Sequence, residues 1–283
     1  MKRLLVTCLA VSISASIFAQ DGGTDKKVNM GLAYQLGLNF TKPGTTVIEK
    51  DGVGVQNAFG LNINFNFNDN IGFATGVEFD FESYKIEMVG VKNTYYYYND
   101  RTIIQEEDVK EPNTDNVFLL TGRKYKNIYA TIPTMLMFRT NALGDFRYYG
   151  KFGARTSFLI KSSKTDQGKI FGMGANGTNI DAIEAGSSAY PSTTSEMEGM
   201  KTPYGNDVSA IRCSLGVAGG AQWTFTGSTM LFAELGFYYG LTPINIEGSN
   251  QNKTLFNRSA GSSDYFGLKT TQTQFCLKIG ILF

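Results

Sequence analysis

The chain of 283 residues contains no histidine at all. This absence excludes the Ser-His and Asp-His pairs on which many hydrolases rely, and it excludes every metal site built on imidazole. A Ser-Lys dyad is compatible with the composition, but no spacing in the sequence indicates one. We therefore expect a protein that is not an enzyme, with no cofactor and no metal site.

The chain also lacks an excess of charge of either sign, and it lacks a long apolar run after residue 20. Lys and Arg together number 26 and Asp and Glu 25, which gives a formal net charge of +1 at pH 7. A protein this close to neutral is a poor candidate for binding nucleic acid. No segment after residue 20 reaches the roughly 20 apolar residues that a membrane-spanning helix needs.

The first residues have the form of a secretory signal peptide. Lys2 and Arg3 give a positive start, residues 4–18 are almost entirely apolar or small, and polar sequence follows Ala19. A basic start, a short apolar stretch and a small residue in this order are typical of a cleaved signal. We assign residues 1–20 to the signal peptide and residues 21–283 to a single mature domain.

Apolar and polar residues alternate along several segments of this domain. Because successive side chains of a strand point to opposite faces, each such segment predicts a strand with one apolar and one polar face. The final segment is the clearest, since its odd-numbered positions from Phe275 to Phe283 are all apolar and the chain closes on an aromatic residue. The eight predicted strands are 30–40, 53–67, 71–86, 125–139, 146–161, 210–225, 229–241 and 275–283.

The lengths of the connections favour one architecture. Those after the second, fourth and sixth predicted strands are short, and the others are long, which is typical of outer-membrane barrels. A soluble β-sandwich or lipocalin-like barrel also alternates, but its strands are shorter and its polar face is rarely so rich in Gly and Asn. The sequence predicts an all-β fold: an eight-stranded antiparallel transmembrane β-barrel with short periplasmic turns, long extracellular loops and both termini in the periplasm.

The mature chain resembles the outer membrane beta-barrel domain proteins that include the PorT-type barrels of Gram-negative bacteria. The resemblance rests on the leader ending at Ala19-Gln20 and on the segments 31–37, 128–136, 236–241 and 278–283. It covers essentially the whole mature chain and implies an eight-stranded barrel without a catalytic residue or an agreed substrate. Members associated with type IX secretion imply one candidate role, that of an accessory barrel of that system.

Charged residues recur on the predicted inner face of the strands. An eight-stranded barrel is only just wide enough for side chains, and a buried charge is costly unless it is paired. We therefore favour a lumen plugged by ion pairs over a narrow outer-membrane channel or porin, in which the same residues would select ions. The predicted lumen ion-pair network consists of Glu78, Asp80, Glu82, Arg139, Arg147, Lys151, Arg155, Arg212, Glu234 and Lys278, with Lys278 expected to pair with Glu234.

The two longest predicted loops, 88–124 and 162–209, offer the remaining candidate surface. The first contains Tyr95, Tyr96, Tyr97 and Tyr98, and clustered tyrosines on loops are favoured binding surface. The alternative is that these tyrosines extend the strands above the membrane. The expected partners are outer-membrane lipid, the barrel assembly machinery, and a surface or secretion-system protein.

Phe283 has the position and the aromatic side chain that the barrel assembly machinery favours in a final strand. We predict that deleting Phe283 lowers the amount of folded protein in the outer membrane, measured by membrane fractionation and by the faster gel migration of unheated folded barrels. If the truncated chain reached the membrane at full yield, Phe283 would be only a lipid-facing residue.

Overall fold

The computed structural model describes residues 27–44, 48–88, 94–97, 103–104, 117–171, 193–198, 208–245 and 269–283. The predicted signal peptide and much of the two longest predicted loops lie outside these residues. Among the described residues, no helix is long and apolar enough to cross a membrane.

The described residues form eight long strands and several short ones. The long strands agree with the predicted positions to within four residues at each end, except that two of them extend eight and ten residues further. The strands are β1 (Val28–Lys42), β2 (Ile48–Lys50), β3 (Gly54–Asn66), β4 (Ile71–Met88), β5 (Thr94–Tyr97), β6 (Ile103–Ile104), β7 (Val117–Arg139), β8 (Phe146–Phe171), β9 (Thr193–Glu198), β10 (Ile211–Thr226), β11 (Thr229–Gly240) and β12 (Thr271–Leu282).

The long strands pair antiparallel in a closed ring. Their order is β4, β3, β1, β12, β11, β10, β8 and β7, and β7 then pairs with β4. The first and last strands meet along their length, and the Phe283 N–H donates to the Met30 carbonyl at 2.8 Å. The predicted eight-stranded antiparallel β-barrel is confirmed.

The two ends of the barrel differ, and we name them the turn end and the loop end. The turn end carries the short connections β3–β4, β7–β8 and β10–β11 together with the start of β1 and the end of β12. In the first turn, the Asn68 side-chain oxygen accepts hydrogen bonds from the backbone N–H groups of Asn70 and Ile71, at 2.9 and 2.7 Å. In the third, Gly227 adopts a φ of 56°, which suits a tight hairpin. The loop end carries the long connections.

The apolar side chains of the long strands lie on the outside of the barrel. Leu32, Phe152 and Leu235 are 58%, 55% and 54% exposed, whereas the alternate positions of the same strands face inward. The inner wall is instead polar and charged. A soluble barrel has the opposite arrangement, so this outer face matches a barrel surrounded by lipid.

The hairpin of β7 and β8 is longer than the sequence predicts. β7 begins at Val117 instead of residue 125, and β8 runs to Phe171 instead of residue 161. The added residues include polar pairs such as Lys124 opposite Thr165. Apolar alternation stops where the lipid stops, so a prediction based on it misses a strand that continues beyond the membrane.

A β-bulge interrupts this hairpin near the point where the apolar side chains end. Tyr129 pairs with Leu159 and Ile128 with Lys161, so that Ile160 is the extra residue of β8. A bulge changes which face the following side chains occupy. Ile160 and Lys161 are consequently both exposed on the outer side.

Pro133, which falls inside the fourth predicted strand, lies within β7 at a point where the ladder with β4 is interrupted. The β4–β7 ladder pairs Thr75 with Thr134 and Glu78 with Thr131, and it is interrupted between them. Pro133 has no N–H to donate. In the matching stretch of β4, Gly76 adopts a φ of 154°, which side-chain-bearing residues rarely adopt.

Glycines on the inner wall make room for aromatic rings of neighbouring strands. A Cβ added at Gly216 would lie 2.3 Å from Cδ1 of Tyr238, and one at Gly220 would lie 2.8 Å from the Tyr149 hydroxyl oxygen. The wall is therefore thin where large rings fill the lumen, which explains the high glycine content of the polar face.

We predict that Gly220→Ala destabilises the barrel by about 1–3 kcal/mol, because the methyl group would lie 2.2 Å from the Ala233 carbonyl oxygen as well as against the Tyr149 ring. The measurement is the midpoint of urea unfolding in detergent. Gly219→Ala is the matched control, since its Cβ would meet only the Tyr149 carbonyl oxygen at 3.8 Å. Equal midpoints for the two variants would contradict the packing argument.

Candidate functional site

Most of the charged residues predicted for the inner wall lie together inside the barrel. They come from five of the eight long strands, and all are buried. We call this set the lumen network: Glu78, Asp80 and Glu82 on β4, Lys151 and Arg155 on β8, Arg212 on β10, Glu234 on β11 and Lys278 on β12.

Arg155 is the residue with the most contacts in the lumen network. Its Nη2 lies 2.6 Å from Glu78 Oε2 and 3.4 Å from Asp80 Oδ1, and its Nη1 donates to Gln274 Oε1 at 3.3 Å. Its guanidinium carbon also lies 4.7 Å from the centre of the Tyr238 ring. Because β4 and β8 are separated by β7, these bonds cross the interior instead of following the wall. They tie non-adjacent strands together.

Glu234 and Lys278 are placed opposite each other in the β11–β12 ladder, as the sequence indicates. The expected salt bridge between them is wrong, however. Lys278 Nζ binds Glu78 on the far side of the lumen. Glu234 Oε2 instead accepts from Lys151 Nζ at 2.6 Å and from the Tyr149 hydroxyl at 3.0 Å. A long lysine side chain can reach across a narrow barrel. The carboxylate opposite Lys278 in the ladder is therefore not the only one available to it.

Arg212 and Glu82 form the third group of bonds. Arg212 Nη1 donates to Glu82 Oε2 at 2.8 Å and Nη2 to Glu82 Oε1 at 2.5 Å, so the pair is bidentate. Gln274 Nε2 also donates to Glu82 at 2.9 Å, and the Tyr129 ring centre lies 4.5 Å from the guanidinium carbon. Bidentate arginine–carboxylate pairs are among the strongest hydrogen-bonded contacts in proteins.

Neutral side chains, which the pattern of charges does not reveal, complete the lumen network. Asp80 accepts from Gln56 Nε2 at 2.8 Å and from the Thr131 hydroxyl. The Ser157 hydroxyl in turn donates to Thr131 Oγ1 at 2.7 Å. Such residues can be identified from the alternation of inward and outward positions along each strand, because they occupy inward positions near the charged residues.

Apolar and aromatic side chains fill the lumen on either side of the lumen network. Toward the turn end, Leu282, Phe232 and Ala33 form a buried cluster. Toward the loop end, the rings of Tyr84 and Tyr125 stack with centroids 4.8 Å apart, and Tyr84 donates to Asn245 Oδ1 at 2.9 Å. The described interior is therefore packed with side chains over much of its length.

The remaining predicted site residues lie elsewhere. Arg139 is buried at the turn end, where its Nη2 donates to the Asn68 carbonyl at 2.7 Å, and Arg147 is half-buried near the start of β8. Both lie near the turns, away from the carboxylates of β4. Phe283 is 48% exposed on the outer face.

The tyrosine cluster is described only in part. Tyr95, Tyr96 and Tyr97 belong to β5, whose backbone pairs with residues 117–120 of β7. Tyr98 lies outside the described residues. The strand pairing of the first three agrees with the alternative in which they extend the barrel wall.

We predict that Glu78→Gln lowers the stability of the barrel by about 3–5 kcal/mol, because it leaves Lys278 and part of Arg155 buried without a carboxylate. Urea unfolding in detergent measures the loss. Glu87→Gln, on the exposed face of the same strand, is the control and should leave the midpoint almost unchanged. The double variant Glu78→Gln, Lys278→Met should recover part of the loss, and fully additive losses would show that the pair is not coupled.

Comparison with known proteins places the chain in a family. The family described as "Outer membrane protein beta-barrel domain" matches residues 18–245. Similar solved structures include OprG from Pseudomonas aeruginosa, at 9% identity and a TM-score of 0.43 over 92% of this chain and 97% of that chain. Neisserial surface protein A is another, at 10% identity and a TM-score of 0.35 over 91% and 98%. These likenesses are too distant to support an inference about function.

No curated protein matches the chain. The family match covers most of the sequence, and the closed barrel with its apolar outer face agrees with it. The chain therefore belongs to the outer membrane beta-barrel domain family and is a protein of the outer membrane.

Proposed function

We propose that this protein is a non-enzymatic outer-membrane barrel whose lumen is plugged by ion pairs and whose loop end serves for interaction at the cell surface. The observation that carries the proposal is the set of salt bridges between Glu78 and Arg155, Glu82 and Arg212, and Glu234 and Lys151. All of these side chains are buried. Opposite charges that hold each other across the lumen are unavailable to guide ions through it.

The dimensions of the barrel support a plugged interior. Eight strands leave space inside for little more than side chains. Here that space also contains large rings, since Tyr129, Tyr149 and Tyr238 all project inward and are shielded from solvent. An ion crossing the barrel would have to displace both the rings and the salt bridges, which is unfavourable in a medium of low dielectric constant.

The proposed orientation places the turn end in the periplasm and the loop end outside the cell. Short turns in the periplasm and long loops outside are usual for barrels of this class. Both described chain ends lie at the turn end, where the Phe283 backbone pairs with Met30. The longest connections then project from the cell, and β7 and β8 extend the wall beyond the apolar surface.

Interaction through the loop end is the role that we favour for such a closed barrel. β7 and β8 form a long hairpin there, and β5 and β9 add strands to it. A paired, extended sheet of this kind is a rigid support for binding residues. The partner that we propose is a surface protein, and the expectation of a secretion-system partner through a PorT-type relationship stays a prediction.

Single-channel recording in planar bilayers tests the plugged lumen. We expect no steady, resolvable openings from the purified folded barrel, since the salt bridges and rings close the passage. Insertion is verified by the shift in gel migration of the unheated protein, and a large porin added to the same bilayer provides the positive control.

Steady openings would instead support the alternative of a narrow channel. In that case Arg155→Gln provides a second measurement, because removing a lumen cation should increase the preference for cations. If the ion selectivity of the openings did not change with this substitution, the ions would be passing outside the lumen network. The proposal of a plugged lumen would then stand.

A further inference from the structure

Lysines cluster on the outer face of the barrel immediately beyond its apolar surface. Lys126 on β7 is at the centre, with Lys124 two residues away on the same strand. Lys85 on β4 and Lys161 on β8 lie diagonally across from Lys126 in the two adjacent ladders. We call these four residues the lysine patch. Its members are exposed or half-exposed, in contrast to the buried cations of the lumen network.

The lysine patch lies at the level along the barrel axis where the lipid-facing band ends. Lys126 is paired with Ser83, and the next outward pair toward the turn end is Phe81 with Ile128. The outward residues of β4 from Ile71 to Phe81 span about 25 Å at about 3.3 Å per residue and a tilt of about 40°. That is the height of the lipid-facing band of an outer-membrane barrel, so the lysines lie at the level of the headgroups.

The β-bulge contributes to the lysine patch. Residues of β8 such as Arg155 and Ser157 have odd numbers and face inward. If β8 alternated regularly past Ser157, with no bulge at Ile160, Lys161 would share their face and enter the lumen. The bulge instead places Lys161 on the outer surface beside Lys126, a shift of side-chain direction that is a known use of bulges.

The lysine patch is electrostatically unfavourable by itself. Lys85 and Lys124 are directly opposite each other in the β4–β7 ladder, and like charges at such positions destabilise a sheet. Asp51 Oδ2 lies 3.5 Å from Lys85 Nζ and forms a salt bridge with that lysine. Glu49 and Glu87 lie farther toward the loop end. Among the residues whose side chains the structure describes, no carboxylate lies within salt-bridge distance of Lys124, Lys126 or Lys161.

The lysine patch is also confined to one side of the barrel. On β3, β10 and β11 the outward residues near the loop end include Val55, Ile211 and Tyr239, which are uncharged. Among the described residues, the other exposed lysines at this end are Lys50, on β2 beside β4, and, away from the lysine patch, Lys42 at the end of β1 and Lys269 just before β12. A generally basic rim would not show this asymmetry, whereas a binding surface would.

We propose that the lysine patch binds the phosphate groups of the glycolipid that forms the outer leaflet of the outer membrane. Phosphate supplies an anion to Lys124, Lys126 and Lys161, and the acyl chains of the same lipid fit the apolar residues Phe81, Ile128 and Ile160 directly beneath. Ser83, which pairs with Lys126 in the β4–β7 ladder, offers a hydroxyl group to the phosphate oxygens. The inference rests on the proposed orientation of the loop end and does not depend on whether the lumen conducts.

The test is native mass spectrometry of the full folded barrel, released from a nonionic detergent, with diphosphorylated lipid A as the probe. We expect a retained lipid complex whose affinity falls roughly twentyfold in the double variant Lys126→Gln, Lys161→Gln, because each lysine near an anionic lipid surface contributes about fivefold. The matched control, Lys42→Gln, Lys269→Gln, removes the same charge at the same end and should bind as the unchanged protein does. Urea unfolding verifies that both variants fold.

Three results would overturn the proposal. The first is equal loss of binding in both double variants, which would mean that the total charge of the rim matters and the lysine patch does not. The second is undiminished binding of lipid A from which both phosphates have been removed. The third is full binding by Lys126→Gln, Lys161→Gln. A conducting barrel would contradict the plugged lumen but would leave all of these measurements unaffected.

Discussion

A strand in lipid has no water to satisfy its backbone, so every N–H and carbonyl group must find a partner within the sheet. Closure of the ring by β1 and β12 meets this requirement, and it also fixes the radius. The small radius then determines the interior. Side chains from opposite walls touch, charges meet across the lumen, and the wall needs glycine wherever a ring such as that of Tyr149 lies against it.

The same constraint explains how the charges are arranged. A carboxylate such as Glu78 has no access to bulk water, so it must be held by cations, and Arg155 and Lys278 reach it from β8 and β12. Each bond connects strands that are not neighbours in the sheet. The lumen network therefore replaces the apolar core of a soluble protein as the element that holds the walls at a fixed distance.

The fold was largely predictable from the sequence, whereas the pairing in the lumen was not. Alternation such as that from Phe275 to Phe283 follows from geometry and needs no knowledge of neighbours. The carboxylate that Lys278 binds depends on the shear of the barrel and on the reach of the side chain. Neither can be read from the residues near Lys278 in the sequence. The continuation of β7 and β8 past the membrane was missed because polar strands carry no apolar alternation, and the bulge at Ile160 leaves no signal in composition.

The contact between the Phe283 and Met30 backbones has a consequence for biogenesis. The other main pairings join strands that follow one another along the chain, but this one joins its two ends and forms only after the last strand is available. Until then the sheet has two unpaired edges, each a template for joining another chain. Non-local pairing of this kind is also slow. Assembly therefore has to keep both edges from joining other chains until the closing ladder forms.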